Sequence, residues 1–191
     1  MTKRCALGFA LLSALATLLC FASLTGCKSM AQDTNTGAPA QVYFALDGMN
    51  LVSVSYDGEG LAPGGGQTCC VGVPKTWRPG LTATVEWVVD PSPGRNPDGK
   101  RAPPMTNDKF QELGEWYRIH EAQYIHHRAV VPIPRYETIY GLYLVILPCG
   151  KAVPFFDWDE YNKKVYSLLQ QPNHKHLIQQ NFGATEQCQQ P

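Results

Sequence analysis

The chain has 191 residues, with 16 Lys+Arg against 16 Asp+Glu, so its formal net charge is zero; 44% of residues are apolar, 10% aromatic and 17% charged. That balance excludes a strongly basic nucleic-acid binder, whose phosphate contacts need a Lys/Arg excess. The supply of aromatic and β-branched residues excludes an acidic or low-complexity disordered chain, and no repeat at solenoid or propeller spacing is present.

Lys3 and Arg4 precede an uncharged apolar run from Ala6 to Leu24, followed by Leu24-Thr25-Gly26-Cys27. A basic start, an apolar middle and small residues at a cleavage point predict a secretory signal peptide over residues 1–26. The run is nearly long enough to span a bilayer, but Leu-Thr-Gly-Cys resembles a bacterial lipobox. That resemblance implies cleavage before Cys27, a diacylglycerol on its thiol and a fatty acyl group such as palmitate on its amine. Lys28 stands where an inner-membrane lipoprotein would carry Asp, which implies the outer membrane, facing the periplasm. The mature chain then has 191 − 26 = 165 residues, enough for one domain with a sizeable core.

Residues 27–40 read as the lipidated cysteine and a flexible tether, because Lys28 to Ala40 is polar and small. A β domain is expected over 41–156. Val42–Leu46 and Leu51–Tyr56 flank Asp47-Gly48-Met49-Asn50, which predicts a hairpin with an Asp-Gly turn. A glycine loop, Gly64-Gly65-Gly66, leads into Thr68–Val73. Leu81, Ala83, Val85 and Trp87 alternate along a further strand that reaches Val89, and Asp90–Pro104 is a Pro/Gly loop. The segment 107–123 fits helix and strand equally well. Tyr124–Ile133 and Gly141–Leu147 are two more strands, the second turning at Pro148-Cys149-Gly150 into 152–156. The fold class is therefore mainly β: a single antiparallel β-sandwich or barrel-like domain. Residues 157–191 add one or two C-terminal helices. Asp157 is the expected N-cap of the first, with Glu160 as its capping-box partner. Trp158, Tyr161, Val165, Leu168 and Leu169 share one face, and Pro172 stops the pattern. A second short helix is expected over Asn173–Phe182, ending at Gly183.

Four cysteines remain after lipidation: Cys69, Cys70, Cys149 and Cys188. An oxidising compartment makes them disulfide candidates. Adjacent cysteines strain the ring that joins them, so Cys69 and Cys70 are expected to bond, in some order, to Cys149 and Cys188. A Cys70–Cys149 link would close a loop of about 80 residues and add about 4–5 kcal/mol in the chain-entropy model.

No catalytic constellation stands out, and neither a cofactor nor a metal is expected. His120-Glu121 begins an H-E-x-x-H motif, but position 124 is Tyr, so the second ligand is missing. His120, His126 and His127 are expected on a mixed polar surface. There is no G-x-S-x-G, and the glycine triplet lacks the lysine and flanking elements of a phosphate loop. Asp157-Trp158-Asp159-Glu160 suits helix capping better than calcium.

One stretch is distinctive: Cys69-Cys70-Val71-Gly72-Val73-Pro74-Lys75-Thr76-Trp77-Arg78-Pro79-Gly80, running into a strand with Trp87 and preceded by Tyr56-Asp57-Gly58 and the glycine loop. It resembles the C-C-V-x-x-P-x-x-W-x-P-G signature of a family of small Gram-negative lipoproteins of unknown function. The resemblance covers Val42 to Phe155. Genes of that family are often found beside phospholipase effectors of type VI secretion systems. The resemblance therefore implies an immunity protein, anchored in the membrane, that binds and neutralises the phospholipase. Pro74, Trp77, Pro79, Gly80 and Trp87 are expected to be structural, the prolines fixing φ and the glycine admitting a sharp turn. A structural or assembly lipoprotein of the cell envelope is the alternative, and a periplasmic metal-binding protein or enzyme the second. No small-molecule substrate is expected.

Overall fold

Alternation decides which face of each strand is buried. In β5 (Thr82–Asp90), Ala83, Val85, Trp87 and Val89 are buried, while Thr82 and Glu86 are exposed. That is the period of two of a strand with one face on a core. The computed structural model describes residues 34–184. The other strands are β1 (Asn35–Phe44), β2 (Asn50–Tyr56), β3 (Glu59–Leu61), β4 (Gln67–Pro74), β6 (Ile125–Pro132), β7 (Leu142–Leu147) and β8 (Lys151–Phe155). They form two four-stranded sheets, β4-β1-β7-β8 and β3-β2-β5-β6.

The inner faces of the two sheets share one core: Ala40, Val42, Val71, Leu144 and Ile146 from the first, Val54, Tyr56, Val85, Trp87 and Val131 from the second. Each such side chain, fully buried, contributes about 1.5–3 kcal/mol. The fold is thus a sandwich, not a closed barrel. β7 is apolar on both faces because a helical layer covers its outer side. Val145 and Leu147 there meet Tyr161, Val165 and Ile178. These come from α2 (Trp158–Lys164), α3 (His174–Asn181) and the turn after α2. Asp157 caps α2, its carboxylate accepting the Glu160 N–H at 2.8 Å, and Gly183 ends α3 at φ +58°.

Several expectations need correction. β1 and β2 do not form a hairpin: β1 lies between β4 and β7, while β2 lies between β3 and β5. The segment 45–49 carries the chain from one sheet to the other. The Asp-Gly hairpin sits one turn later, at Asp57-Gly58 (φ +48° and +84°), closed by Tyr56 opposite Glu59. Two positive φ values in a two-residue loop match the right-handed twist of the flanking strands. β1 begins at Asn35, inside the expected tether, because Asn35–Ala38 pairs in register with Pro74–Val71. β1 and β7 run parallel, Ala40–Phe44 beside Leu142–Ile146, so the first sheet is not wholly antiparallel. Residues 110–121 form a helix, α1 (Phe110–Glu121), preceded by a 3-10 turn at Asn107–Lys109.

The cysteine pairing is also different. Cys69 and Cys70 are bonded to each other, and the peptide between them is cis. Neither reaches Cys149, which is itself disulfide-bonded. The 80-residue loop closure is therefore absent. The signal peptide, Cys27 and Cys188 lie outside the described residues.

Candidate binding surface

The residues of the sequence signature gather at one end of the sandwich, between β4 and β5. Trp77 is half-buried against the core and its indole N–H donates to the Ile133 carbonyl at 3.0 Å. The Tyr136 hydroxyl donates to the Pro74 carbonyl. Pro79 is exposed, and Gly80 turns into β5 at φ +85°. Trp87 is buried and stacks on His127, ring centroids 5.0 Å apart. The glycine loop is a turn in which Gly65 offers its carbonyl to the Gln41 amide at 3.2 Å.

The opposite end is built by the loop from 91 to 104 and by α1, which together connect β5 to β6. Leu113, Trp116 and His120 recur at helical spacing and are the buried residues of α1. A polar clamp fastens this face to the loop. His120 Nε2 lies 3.1 Å from Asp90 Oδ2, and its Nδ1 lies 3.2 Å from the Arg95 carbonyl. The two side chains are only 4% and 8% exposed. Both ring nitrogens thus face acceptors. Asp90 also accepts the Ser92 N–H at 2.9 Å. Trp116 stacks on His120 at 4.4 Å and donates its indole N–H to the Lys100 carbonyl at 3.2 Å. Buried Asn96 donates its amide to the Trp116 carbonyl at 3.2 Å. Tyr124 meets the His120 ring edge-on, and burial, then the Asp90 charge, raises its phenol pKa.

The exposed surface of α1 is mixed: Gln111, Glu115 and Arg118 lie opposite its buried face, and large apolar side chains are exposed on its flanks. Phe110 is 72% exposed and Tyr117 44% exposed, and Met105, just before the helix, is 80% exposed. Ile119 and Ile125 are exposed as well. Among the described residues, five of the ten exposed large apolar side chains therefore fall between 105 and 125. Exposed apolar residues are ordinary when scattered, and informative when they crowd together.

Of the histidines, His120 is the exception to the expected polar surface: it is buried because Asp90 and Arg95 supply partners for both nitrogens. His126 is exposed. His127 is half-buried, and burial, then the neighbouring His126 charge, lowers its pKa. His126 and His127 line a shallow groove of about 560 Å³ on the outer face of the second sheet with Ser53, Glu86 and Arg128. Among the described residues no group of three His, Cys, Asp or Glu side chains is placed to share a metal ion. The Asp157 carboxylate serves the helix cap.

Sequence reading missed the Asp90–His120 pair and the apolar face of α1. The signal was present: Leu113, Trp116 and His120 stand at i, i+3 and i+7. A family model described as a protein of unknown function (DUF3304) matches residues 41–153. No curated protein and no solved structure matches the chain.

Proposed function

The chain belongs to the DUF3304 family, and on that premise we propose that it is a membrane-anchored periplasmic lipoprotein that binds and neutralises a type VI secretion phospholipase effector. The observation that carries a binding role is the exposure of Phe110, Tyr117 and Ile119 on a helix whose inner face is locked by buried polar contacts, with Met105 and Ile125 exposed on either side of it in the chain. Exposed aromatic residues on a rigid support are the usual anchors of tight protein interfaces. Neutralisation at nanomolar affinity needs about −12 kcal/mol, which an interface of roughly 1,600 Å² supplies when such anchors sit at its centre. The lipobox-like Leu24-Thr25-Gly26-Cys27 supports the anchor. Only seven residues separate Cys27 from Asn35, where β1 starts. A lipid on Cys27 would therefore hold the domain within about 30 Å of the bilayer, beside the substrate of the lipase.

The test is co-expression of the phospholipase encoded beside the gene, directed to the periplasm, with and without this protein. Survival only in its presence is expected. Equal killing, or equal survival, in both strains sinks the proposal.

A further inference from the structure

Cys149 is joined by a disulfide to another cysteine of the chain. The chain has seven cysteines. Cys69 and Cys70 hold each other, which leaves Cys5, Cys20, Cys27 and Cys188 as partners. The place of Cys149 is itself unusual. It turns β7 into β8 at φ +63°, a left-handed conformation that glycine adopts with least strain. As a turn residue a cysteine is a costly choice there, so the turn alone gives no reason for it.

We propose that Cys149 is bonded to Cys188, and that this cross-link staples the helical layer to the first sheet. Reach separates the candidates. The helical layer brings the chain back to the β7–β8 end of that sheet. Gln179 of α3 donates its side-chain amide to the Ala45 carbonyl at 2.6 Å, and Ala45 donates its N–H to the Ile146 carbonyl at 2.9 Å. The Ala184 N–H donates to the Gln179 carbonyl at 2.9 Å, and Ala184 is buried in the cluster that also holds Leu147. Cys149 follows Leu147 by two residues and Cys188 follows Ala184 by four. Four residues span up to about 14 Å, which brings Cys188 within range of Cys149. Cys27 starts from the far end. Asn35 precedes Phe44 by nine residues, and Phe44 lies beside Ile146. About 30 Å of strand therefore separates Asn35 from the level of Ile146, and Cys149 lies beyond it. The eight steps from Cys27 to Asn35 cover at most about 28 Å, so Cys27 falls short, and its thiol carries the lipid in the proposed anchor. Cys5 and Cys20 leave with the leader, and to that extent the pairing rests on the proposed function. The bond closes a loop of 188 − 149 = 39 residues that contains β8, α2 and α3. The helical layer is then held covalently as well as by Tyr161, Val165 and Ile178.

The experiment exports the full chain to the periplasm, alkylates free thiols, digests with trypsin without reduction and maps linked peptides by mass spectrometry. The cysteines fall in separate peptides: Cys69 and Cys70 in Ser29–Lys75, Cys149 in Tyr136–Lys151 and Cys188 in His176–Pro191. A link between Tyr136–Lys151 and His176–Pro191 is expected. Cys149→Ser and Cys188→Ser should each lower the melting temperature by about 8–16 °C, and the double variant by no more than either. Cys149 linked to Cys69 or Cys70, or alkylated as a free thiol, overturns the pairing. A link from Cys149 to Cys5 or Cys20 overturns the pairing together with the cleaved leader. The expected link in a chain whose Cys27 carries no lipid supports the pairing and overturns the proposed anchor. Serine variants as stable as wild type overturn the role as a staple.

Discussion

Replacing His120 by alanine should be among the most damaging single changes outside the sandwich core. The imidazole sits between Asp90 Oδ2 and the Arg95 carbonyl, and the His120 and Asp90 side chains are nearly inaccessible. Removing the ring leaves a buried acceptor without its hydrogen-bond partner, at about 1–3 kcal/mol. Loss of the ring stacked on Trp116 adds a packing cost. For a domain of this size each kcal/mol lowers the melting temperature by about 2–4 °C, so the lost hydrogen bonding alone is expected to lower it by roughly 2–12 °C. His120→Phe separates the causes, because it keeps a ring for Trp116 but donates to neither acceptor. If the hydrogen bonds dominate, the Phe variant recovers little of the loss. Urea titration of both variants and of Asp90→Asn, with unchanged slopes, gives the free energies. The double variant Asp90→Asn/His120→Phe should then be less destabilised than the sum of its parts. A Phe variant as stable as wild type would refute this reasoning and reduce the clamp to ring packing.

Three further outcomes are expected. The Tyr56 hydroxyl is buried with no hydrogen-bond partner among the described residues, and burial raises its pKa. Tyr56→Phe should therefore be neutral or stabilising by about 1 kcal/mol in chemical denaturation, whereas a loss of 2 kcal/mol would show that the hydroxyl is satisfied. His127 has its pKa lowered from 6.5 by burial and by His126. The unfolded chain then takes up the proton first, so the domain loses stability as the pH falls through about 6.5. His127→Phe should flatten that acid loss in melting curves between pH 7.5 and 5, and a curve parallel to wild type would contradict the sign. Asp157→Ala removes the α2 cap and should cost about 1 kcal/mol, with Asp157→Ser retaining most of it. Equal loss in both variants would show that the cap hydrogen bond is not what matters.

How far the sequence reaches depends on the range of the interaction. Strand positions were legible because alternation is local: Ala83, Val85 and Trp87 mark the buried face of β5 without knowledge of its neighbours. So was the α2 cap, which spans three residues. Pairing was not legible, because it depends on distant segments. Asp47-Gly48 and Asp57-Gly58 look alike in the chain, yet only the second closes a hairpin, since β1 is claimed by β4 and β7. The cysteines failed for a different reason. A bond between neighbours was excluded because the ring that joins them is strained, yet Cys69 and Cys70 are joined to each other. α1 was ambiguous because its inner face is partly polar. His120 is apolar in position but not in chemistry, and its burial is made acceptable by Asp90 and the Arg95 carbonyl, 30 and 25 residues away. Exposed Phe110, Tyr117 and Ile119 run against the pattern of a solvated helix. Such local disagreement between sequence and fold is where function is expected to show.

The parallel contact of β1 with β7 bears on the order in which the molecule can assemble. Ala40 lies beside Leu142, and Phe44 beside Ile146, so the first strand acquires its second neighbour only from a segment about a hundred residues further on. During synthesis β1 waits with one edge bare until three quarters of the polypeptide exists. Closing so long a span costs chain entropy before any contact repays it, and such topologies fold slowly. A fragment truncated before residue 142 would lack β7, one of the two central strands of its first sheet, and β8 with it.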